Sequence, residues 1–207
     1  MERTKSTRHD MKTHLAAINA HAAEGKVDKI ADYIGGLLGG LDTARIYSDT
    51  GNAVFDSIIN FKLRNAEREN IKPTIRLNVP PSLNAETSDI AVMLGNLLDN
   101  AIEALARVED KWIRISADCS RGVLIICVKN PFDGVLDYAG KAGSARTKAG
   151  IDPLPVTRKT GGDHGRGLRN IQRALEKYDG ALFIKVKEGN VFSAAVLLYG
   201  EEARVGG

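Results

Sequence analysis

Aromatic residues are scarce: they make up 5% of 207 residues, with one Trp and five Phe. That is too few for the base-stacking platforms that hold single-stranded nucleic acid, and it leaves any core to Leu, Ile, Val and Ala. Cysteine is scarcer still. Two residues, Cys119 and Cys127, cannot build a disulfide framework. Both fall in or beside an expected strand pair, where they serve as small hydrophobes and suit a reducing cytoplasm. No run of about 18 apolar residues is present, so no membrane-spanning helix is expected. The N-terminus also lacks the apolar core of a signal peptide. An excess of one charge is missing as well: 29 Lys+Arg against 26 Asp+Glu leave a net charge of +3. Arg166, Arg169 and Arg173 are the nearest basic cluster, all on one expected helix. No nucleic-acid partner is therefore expected. What remains is ordinary: 43% hydrophobic and 27% charged residues, a soluble globular composition. The length suits one domain and a smaller unit.

Residues 1–23 read as a helix whose Met11, Leu15, Ile18 and Ala22 form a narrow apolar stripe at i, i+4, i+7 and i+11. Gly25 breaks it. A second helix carries Val27, Ile30, Ile34, Leu37 and Leu41 on a/d spacing, too narrow a stripe for a helix packed inside a globule. Gly35, Gly36, Gly39 and Gly40 each cost such a helix about 1 kcal/mol relative to Ala, so a partner is expected to hold it. A helical hairpin that pairs with another hairpin fits both stripes. The turn-rich residues 43–52 mark a boundary. Beyond it come a helix at about 53–70, a strand at 74–78, a long helix at 87–107 and strands at 113–117 and 123–128. A long irregular stretch, 130–163, precedes a helix at 166–178 and two strands, 182–186 and 191–198, that meet at Gly189-Asn190, a hairpin signal. The absence of a repeating strand–helix–strand unit makes the fold α+β rather than doubly wound. An unstructured loop of about 30 residues inside a compact domain is unusual and points to function or disorder.

Chemistry enters on the long helix. Beside its apolar stripe of Ile90, Leu94, Leu97, Ala101 and Leu105 runs a polar one of Asn96, Asn100, Glu103 and Arg107 at the same spacing. Two Asn one turn apart give amide oxygens that can ligate hard Mg²⁺ without adding charge, with nucleotide phosphates completing the shell. Taken alone, such a pair is as well explained by a solvated polar face. Further on, Gly165 and Gly167 sit where a loop becomes a helix. Glycines there let backbone approach a phosphate, and the helix N-terminus offers free N–H groups. Near the start of the chain stands His9-Asp10, with His9 about 150° from the centre of its helix's apolar stripe and so directed outward.

The run Asn96-Leu97-Leu98-Asp99-Asn100-Ala101-Ile102-Glu103-Ala104 resembles the asparagine box of the gyrase/Hsp90/histidine-kinase/MutL (GHKL) ATPase superfamily, in its histidine-kinase form. The resemblance implies that Asn100 ligates Mg²⁺ and that Asn96 lies near the phosphates of ATP. Asp163-His164-Gly165-Arg166-Gly167-Leu168 is similar to a glycine box of that superfamily, and 131–163 to its ATP lid. Thr157-Arg158-Lys159 then resembles the element that lids carry toward the phosphates, with Lys159 as the contact. Arg8-His9-Asp10 resembles the phosphoacceptor box of histidine kinases, in particular of quorum-peptide and dicarboxylate sensors. It implies that His9 receives the γ-phosphoryl group while Asp10 holds or removes its proton. The Asp-x-Gly-x-Gly box that reads adenine in many relatives is missing. The strand instead ends Cys127-Val128-Lys129-Asn130-Pro131-Phe132-Asp133-Gly134, so Asn130, with Asp133 second, is the candidate adenine contact.

The expectation is thus the cytoplasmic core of a bacterial sensor histidine kinase. Residues 1–45 would be a dimerising phosphotransfer hairpin, half of a four-helix bundle. Residues 52–200 would be a GHKL (Bergerat) α/β sandwich with helices on one face of a mixed sheet. Mg²⁺ and ATP would bind it, a homodimer would form through 1–45, and a response-regulator aspartate would take the phosphoryl group from His9. The chain begins only eight residues before His9, which suggests a piece of a membrane-anchored receptor, itself without membrane contact. Alternative readings are an ATP-binding regulatory module without kinase activity, or a GHKL serine kinase or ATPase. A hydrolase of the gyrase or Hsp90 type carries a Glu base one turn before the metal Asn, and here that position is Asn96.

Overall fold

In a computed structural model, the described residues are 2–37, 45–66, 69–135, 137–138, 155–156, 166–187 and 189–199. The chain divides into two compact units, Met1–Ala44 and Arg45–Gly207. The first holds two helices, α1 (Glu2–Ala23) and α2 (Val27–Leu37), joined by a turn in which Gly25 takes φ +67°. They meet where His14 Nδ1 lies 3.0 Å from the Tyr33 hydroxyl, with the His21 ring edge-on to Tyr33. The stripes noted in the sequence stay largely uncovered: Leu15 is 60% and Val27 71% exposed. Residues 38–44, into which the second stripe runs, lie outside the described residues.

The second unit opens with a loop that the sequence suggests is a mere boundary. It is in fact stitched to α3 (Ala53–Asn65). The Asp56 carboxylate accepts from Ser48 Oγ at 2.6 Å, from Thr50 N and Oγ1 at 3.0 Å and from Gly51 N at 3.0 Å. Asn60 Oδ1 accepts from the N–H of Tyr47 at 2.7 Å, and its amide donates to Ser48 O at 2.8 Å. Asn52 caps the helix by accepting from Phe55 N, satisfying one of the orphan donors of the first turn. Burial holds Asp56 up, but the hydrogen bonds from Ser48, Thr50 and Gly51 outweigh it and leave the carboxyl below its ordinary value.

Then follow β1 (Lys72–Asn78), α4 (Thr87–Leu105), β2 (Trp112–Ser120) and β3 (Val123–Pro131). Two short strands, β4 (Asp137–Tyr138) and β5 (Pro155–Val156), pair antiparallel, so the stretch expected to be irregular holds a short ladder. Strands of two residues have no periodicity to read. The remainder is α5 (Arg166–Leu175) with a 3-10 turn, β6 (Ala181–Lys187) and β7 (Val191–Tyr199). The main sheet runs β1-β2-β3-β7-β6, parallel between β1 and β2 and antiparallel elsewhere. The β2–β3 hairpin turns at Arg121-Gly122 and the β6–β7 hairpin at Gly189-Asn190. All four residues have positive φ, as a tight I′ turn requires.

One face of this mixed sheet carries the helices. Ile113 and Ile115 of β2, Leu124, Ile126 and Val128 of β3 and Ala194, Val196 and Leu198 of β7 alternate onto that face and are buried. Phe55 and Ile59 of α3, Ile90, Leu94, Leu97, Ala101 and Leu105 of α4 and Ile171 of α5 pack against them in one core. The apolar stripe read from the α4 sequence is thus buried in full, which fixes which way its polar stripe faces. The fold class is α+β, with helices on one face of a mixed sheet. Among the described residues, no helix is long and apolar enough to cross a membrane.

Candidate functional site

Helices α4 and α5 lie side by side, and their closest approach is set by a residue without a side chain. A methyl group placed on Gly167 would stand 3.1 Å from Asn96 Oδ1 and 3.3 Å from Asn100 Oδ1. Gly167 thus packs its bare Cα in front of two amide oxygens, one turn apart on α4. Asn96 donates its Nδ2 to Val92 O at 2.6 Å, which leaves its oxygen on the side of Gly167. Asn100 Nδ2 is buried and has no hydrogen-bond partner. An orphaned buried donor of this kind costs about 1–3 kcal/mol, so a neighbouring acceptor would relieve a standing penalty. The same polar stripe continues with Glu103 and Arg107, 3.6 Å apart as an i,i+4 pair. Asp99, on the flank, is tied to Lys62 of α3 at 2.7 Å.

Gly167 and Leu168 occupy the first turn of α5. The Leu168 side chain is buried in the core, so only its backbone can meet a ligand. That turn presents backbone N–H groups at the positive end of the helix, the setting in which phosphate oxygens are held. The neighbouring strand contributes Asn130, buried on the helix-bearing face of β3. Its Nδ2 is committed to Pro131 O at 2.9 Å, which leaves Oδ1 as an acceptor. Asp133 accepts from Val135 N at 3.1 Å and so shapes the turn after β3. Gly165, Lys159 and most of the segment expected to be a lid lie outside the described residues. His9 and Asp10 lie on α1, in the other unit.

Sequence reading missed a second polar cluster. Asp89, in the first turn of α4 and only 8% exposed, accepts from the Tyr178 hydroxyl at 2.7 Å and from Lys177 Nζ at 3.0 Å. Tyr178 in turn accepts from Glu86 N at 2.9 Å. Burial raises the Asp89 carboxyl, but the hydrogen bonds from Tyr178 and Lys177 and the Lys177 charge carry it below its ordinary value. The partners are about 90 residues apart, so no local spacing could reveal them. This cluster clamps α4 to the 3-10 turn after α5. A cavity of about 480 Å³ lined by Leu83, Asn84, Cys119, Tyr178 and Tyr199 lies beside it, and neither Asn96 nor Asn100 lines that cavity.

A family profile described as the GHKL domain matches residues 85–198, which take in α4, the sheet from β2 onward and α5. The chain belongs to the GHKL family. The fold of this GHKL chain is that of histidine-kinase catalytic domains. It superposes on the nucleotide-free catalytic domain of histidine kinase ThkA with a TM-score of 0.54 at 20% identity, covering 73% of this chain and 93% of that one. A histidine kinase from Burkholderia phymatum STM815 gives a TM-score of 0.50 at 18% identity, covering 92% of this chain and 87% of that one. No curated protein sequence matches significantly. The GHKL match spans both Asn96 and Asn100 on α4 and Gly167 on α5, the residues that the geometry brings together.

Proposed function

We propose that this GHKL chain is a protein histidine kinase of a two-component system. It binds Mg-ATP between α4 and α5, phosphorylates His9, and passes the phosphoryl group to an aspartate of a response regulator. The observation that carries the reading is the cradle at Gly167, where two amide oxygens converge on a bare Cα and an amide nitrogen lacks a partner. These residues fit a magnesium-bound triphosphate. Asn100 Oδ1 is a neutral hard ligand, and among the described residues no cluster of His, Cys, Asp or Glu is placed to hold a metal instead. Magnesium, when bound, neutralises phosphate charge as the γ-phosphoryl group departs.

The chain's own residues supply the rest. Asn96 and the first-turn N–H groups of α5 bind and orient the phosphates. Asn130 accepts from the adenine amino group, the part that the missing Asp-x-Gly-x-Gly box plays elsewhere. Lys159 adds a phosphate contact from the lid, and Gly165 one from the glycine box. Asp10 holds or removes the His9 proton, so that an unprotonated imidazole nitrogen attacks. The position of a general base for water, one turn before Asn100, is filled by Asn96, whose amide cannot take a proton. This favours transfer to a protein nucleophile over hydrolysis. Residues 1–45 form the dimerising hairpin in this reading, because α1 and α2 leave Leu15 and Val27 exposed within one chain. The full protein is a membrane-anchored receptor in the same reading, with this part in the cytoplasm.

His9→Gln tests the assignment. It should abolish autophosphorylation and leave Mg-ATP affinity unchanged, since His9 and the cradle belong to different units. A His9→Gln protein that still labels from γ-labelled ATP would overturn the role of His9. A wild-type protein that binds Mg-ATP and never labels would favour the regulatory-module reading.

A further inference from the structure

The sheet has a second face, which none of α3, α4 and α5 covers and the nucleotide site does not use. Strand register places its side chains in rows that cross the strands. One row holds Cys127 of β3, Ala195 of β7 and Phe183 of β6, and the next holds Ile125, Leu197 and Ala181. This apolar patch is open: Phe183 is 45% and Ile125 42% exposed. On one side, the adjacent row carries Arg114, Lys129 and Lys185, with Ser193 between the two lysines. Arg114 lies over the ring of Trp112, 5.4 Å from its centroid. Among the described residues, Lys129 and Lys185 have no acidic partner. The charge reverses at the β2 end of the Ile125 row, where Asp118, facing Ile125 across the ladder, is held by Asn78 and Ser120.

We propose that this face docks an amphipathic helix of a partner protein, lying across the strands, with an apolar stripe over Phe183 and Ile125 and acidic residues along one flank only. The complementarity is both apolar and electrostatic. Adjacent strands lie about 4.8 Å apart, close to the pitch of about 5.4 Å at which a helix repeats a flank residue. With Ser193 between Lys129 and Lys185, acids on two successive turns can therefore meet Arg114 and Lys129, and an acid two turns beyond Lys129 can meet Lys185. Alternate residues along a strand lie about 6.8 Å apart, which separates the apolar stripe from the acidic flank by the width of a helix face. Asp118 repels acid on the opposite flank and so fixes which way round the helix lies. The large Phe183 and Ile125 stand on strands to either side of the one carrying Ala195, which suits receiving a ridge of side chains rather than inserting one into a bilayer.

Trp112 is the sole tryptophan of the chain and stands on this face, so its emission reports on the docking. The probe is a synthetic 18-residue helical peptide with a leucine stripe and glutamates on one flank. It should shift Trp112 emission saturably. Lys129→Glu with Lys185→Glu should weaken binding at least tenfold, and Phe183→Ser at least fivefold, with Mg-ATP affinity unchanged in each. A peptide with Gln in place of Glu should bind at least tenfold more weakly. Equal binding by a scrambled peptide of the same composition would overturn the proposal, as would no shift at all. A shift given by phosphatidylglycerol vesicles and not by the peptide would overturn it in favour of a membrane surface. Self-association of the protein that is lost in Phe183→Ser would overturn it in favour of a second copy.

Discussion

Replacing Gly167 by Ala puts the account of the nucleotide site under the most specific strain. The new methyl would stand 3.1 and 3.3 Å from the two amide oxygens, tighter than ordinary van der Waals contact, so both side chains must give by a few tenths of an ångström. Against this, Ala in place of Gly favours a helix by up to about 1 kcal/mol. The two effects are similar in size, so folding stability should move by less than about 1 kcal/mol, or roughly 2–4 °C in Tm. Nucleotide binding has no such compensation. The methyl fills the space in which Asn96 and Asn100 would meet a ligand, and it displaces the oxygen that is to ligate Mg²⁺. A loss of at least about tenfold in Mg-ATP affinity is expected, or about 1.4 kcal/mol. Titration with a fluorescent ATP analogue, with and without Mg²⁺, measures it, and a thermal melt controls for folding. Gly95→Ala, on α4 itself and facing open space, should keep full affinity. If Gly167→Ala bound Mg-ATP as tightly as wild type, the convergence of the two amides on Gly167 would have no bearing on nucleotide.

Asn100→Asp should also lower Mg-ATP affinity at least about tenfold, because a second anion crowds a site meant for phosphates; wild-type affinity by the same titration would remove Asn100 as the metal ligand. Tyr178→Phe removes a donor from buried Asp89 and should destabilise the second unit by about 1–3 kcal/mol in a urea melt; an unchanged midpoint would mean that the clamp is not holding α4 to α5. Asp56 and Asp89 both have folded-state values below the ordinary 3.8, so their contribution is complete above that value and is lost as pH falls through the lower folded values. Asp56→Asn with Asp89→Asn should therefore flatten the fall in stability below about pH 4, and an acid limb as steep as wild type would contradict this. A chain beginning at Arg45 should be monomeric by sedimentation and still bind Mg-ATP, whereas one beginning at Gly51 loses Ser48 and Thr50 from the Asp56 cluster and should be less stable.

Much of this fold could be read along the chain because its decisive contacts are periodic. The stripe of Ile90, Leu94, Leu97, Ala101 and Leu105 gave α4 and its buried face, and Gly189-Asn190 gave the β6–β7 turn. The α+β class followed from the order of the elements, and helices on one face of a mixed sheet from the resemblance to the GHKL superfamily. What escaped is non-local or too short to repeat. The β4–β5 ladder has two residues per strand. The loop before α3 reads as turn-forming residues, and only the folded helix shows that Asp56 and Asn60 fasten it. The clamp of Asp89, Lys177 and Tyr178 joins residues almost ninety apart. At the site, the sequence placed Asn96 and Asn100 on one face but could not say which way their amides turn. That depends on the Val92 carbonyl and on how closely the bare Gly167 lets α5 approach.

The central claim is that the Asn96/Asn100/Gly167 cradle presents ATP for transfer to a histidine of this chain. The most direct measurement is incubation of the purified protein with γ-labelled ATP and Mg²⁺, followed by acid and alkali treatment of the labelled chain. The account predicts label that is lost in acid, survives alkali and is absent from His9→Gln. Label that survives acid, or a protein that hydrolyses ATP and never becomes labelled, would contradict it.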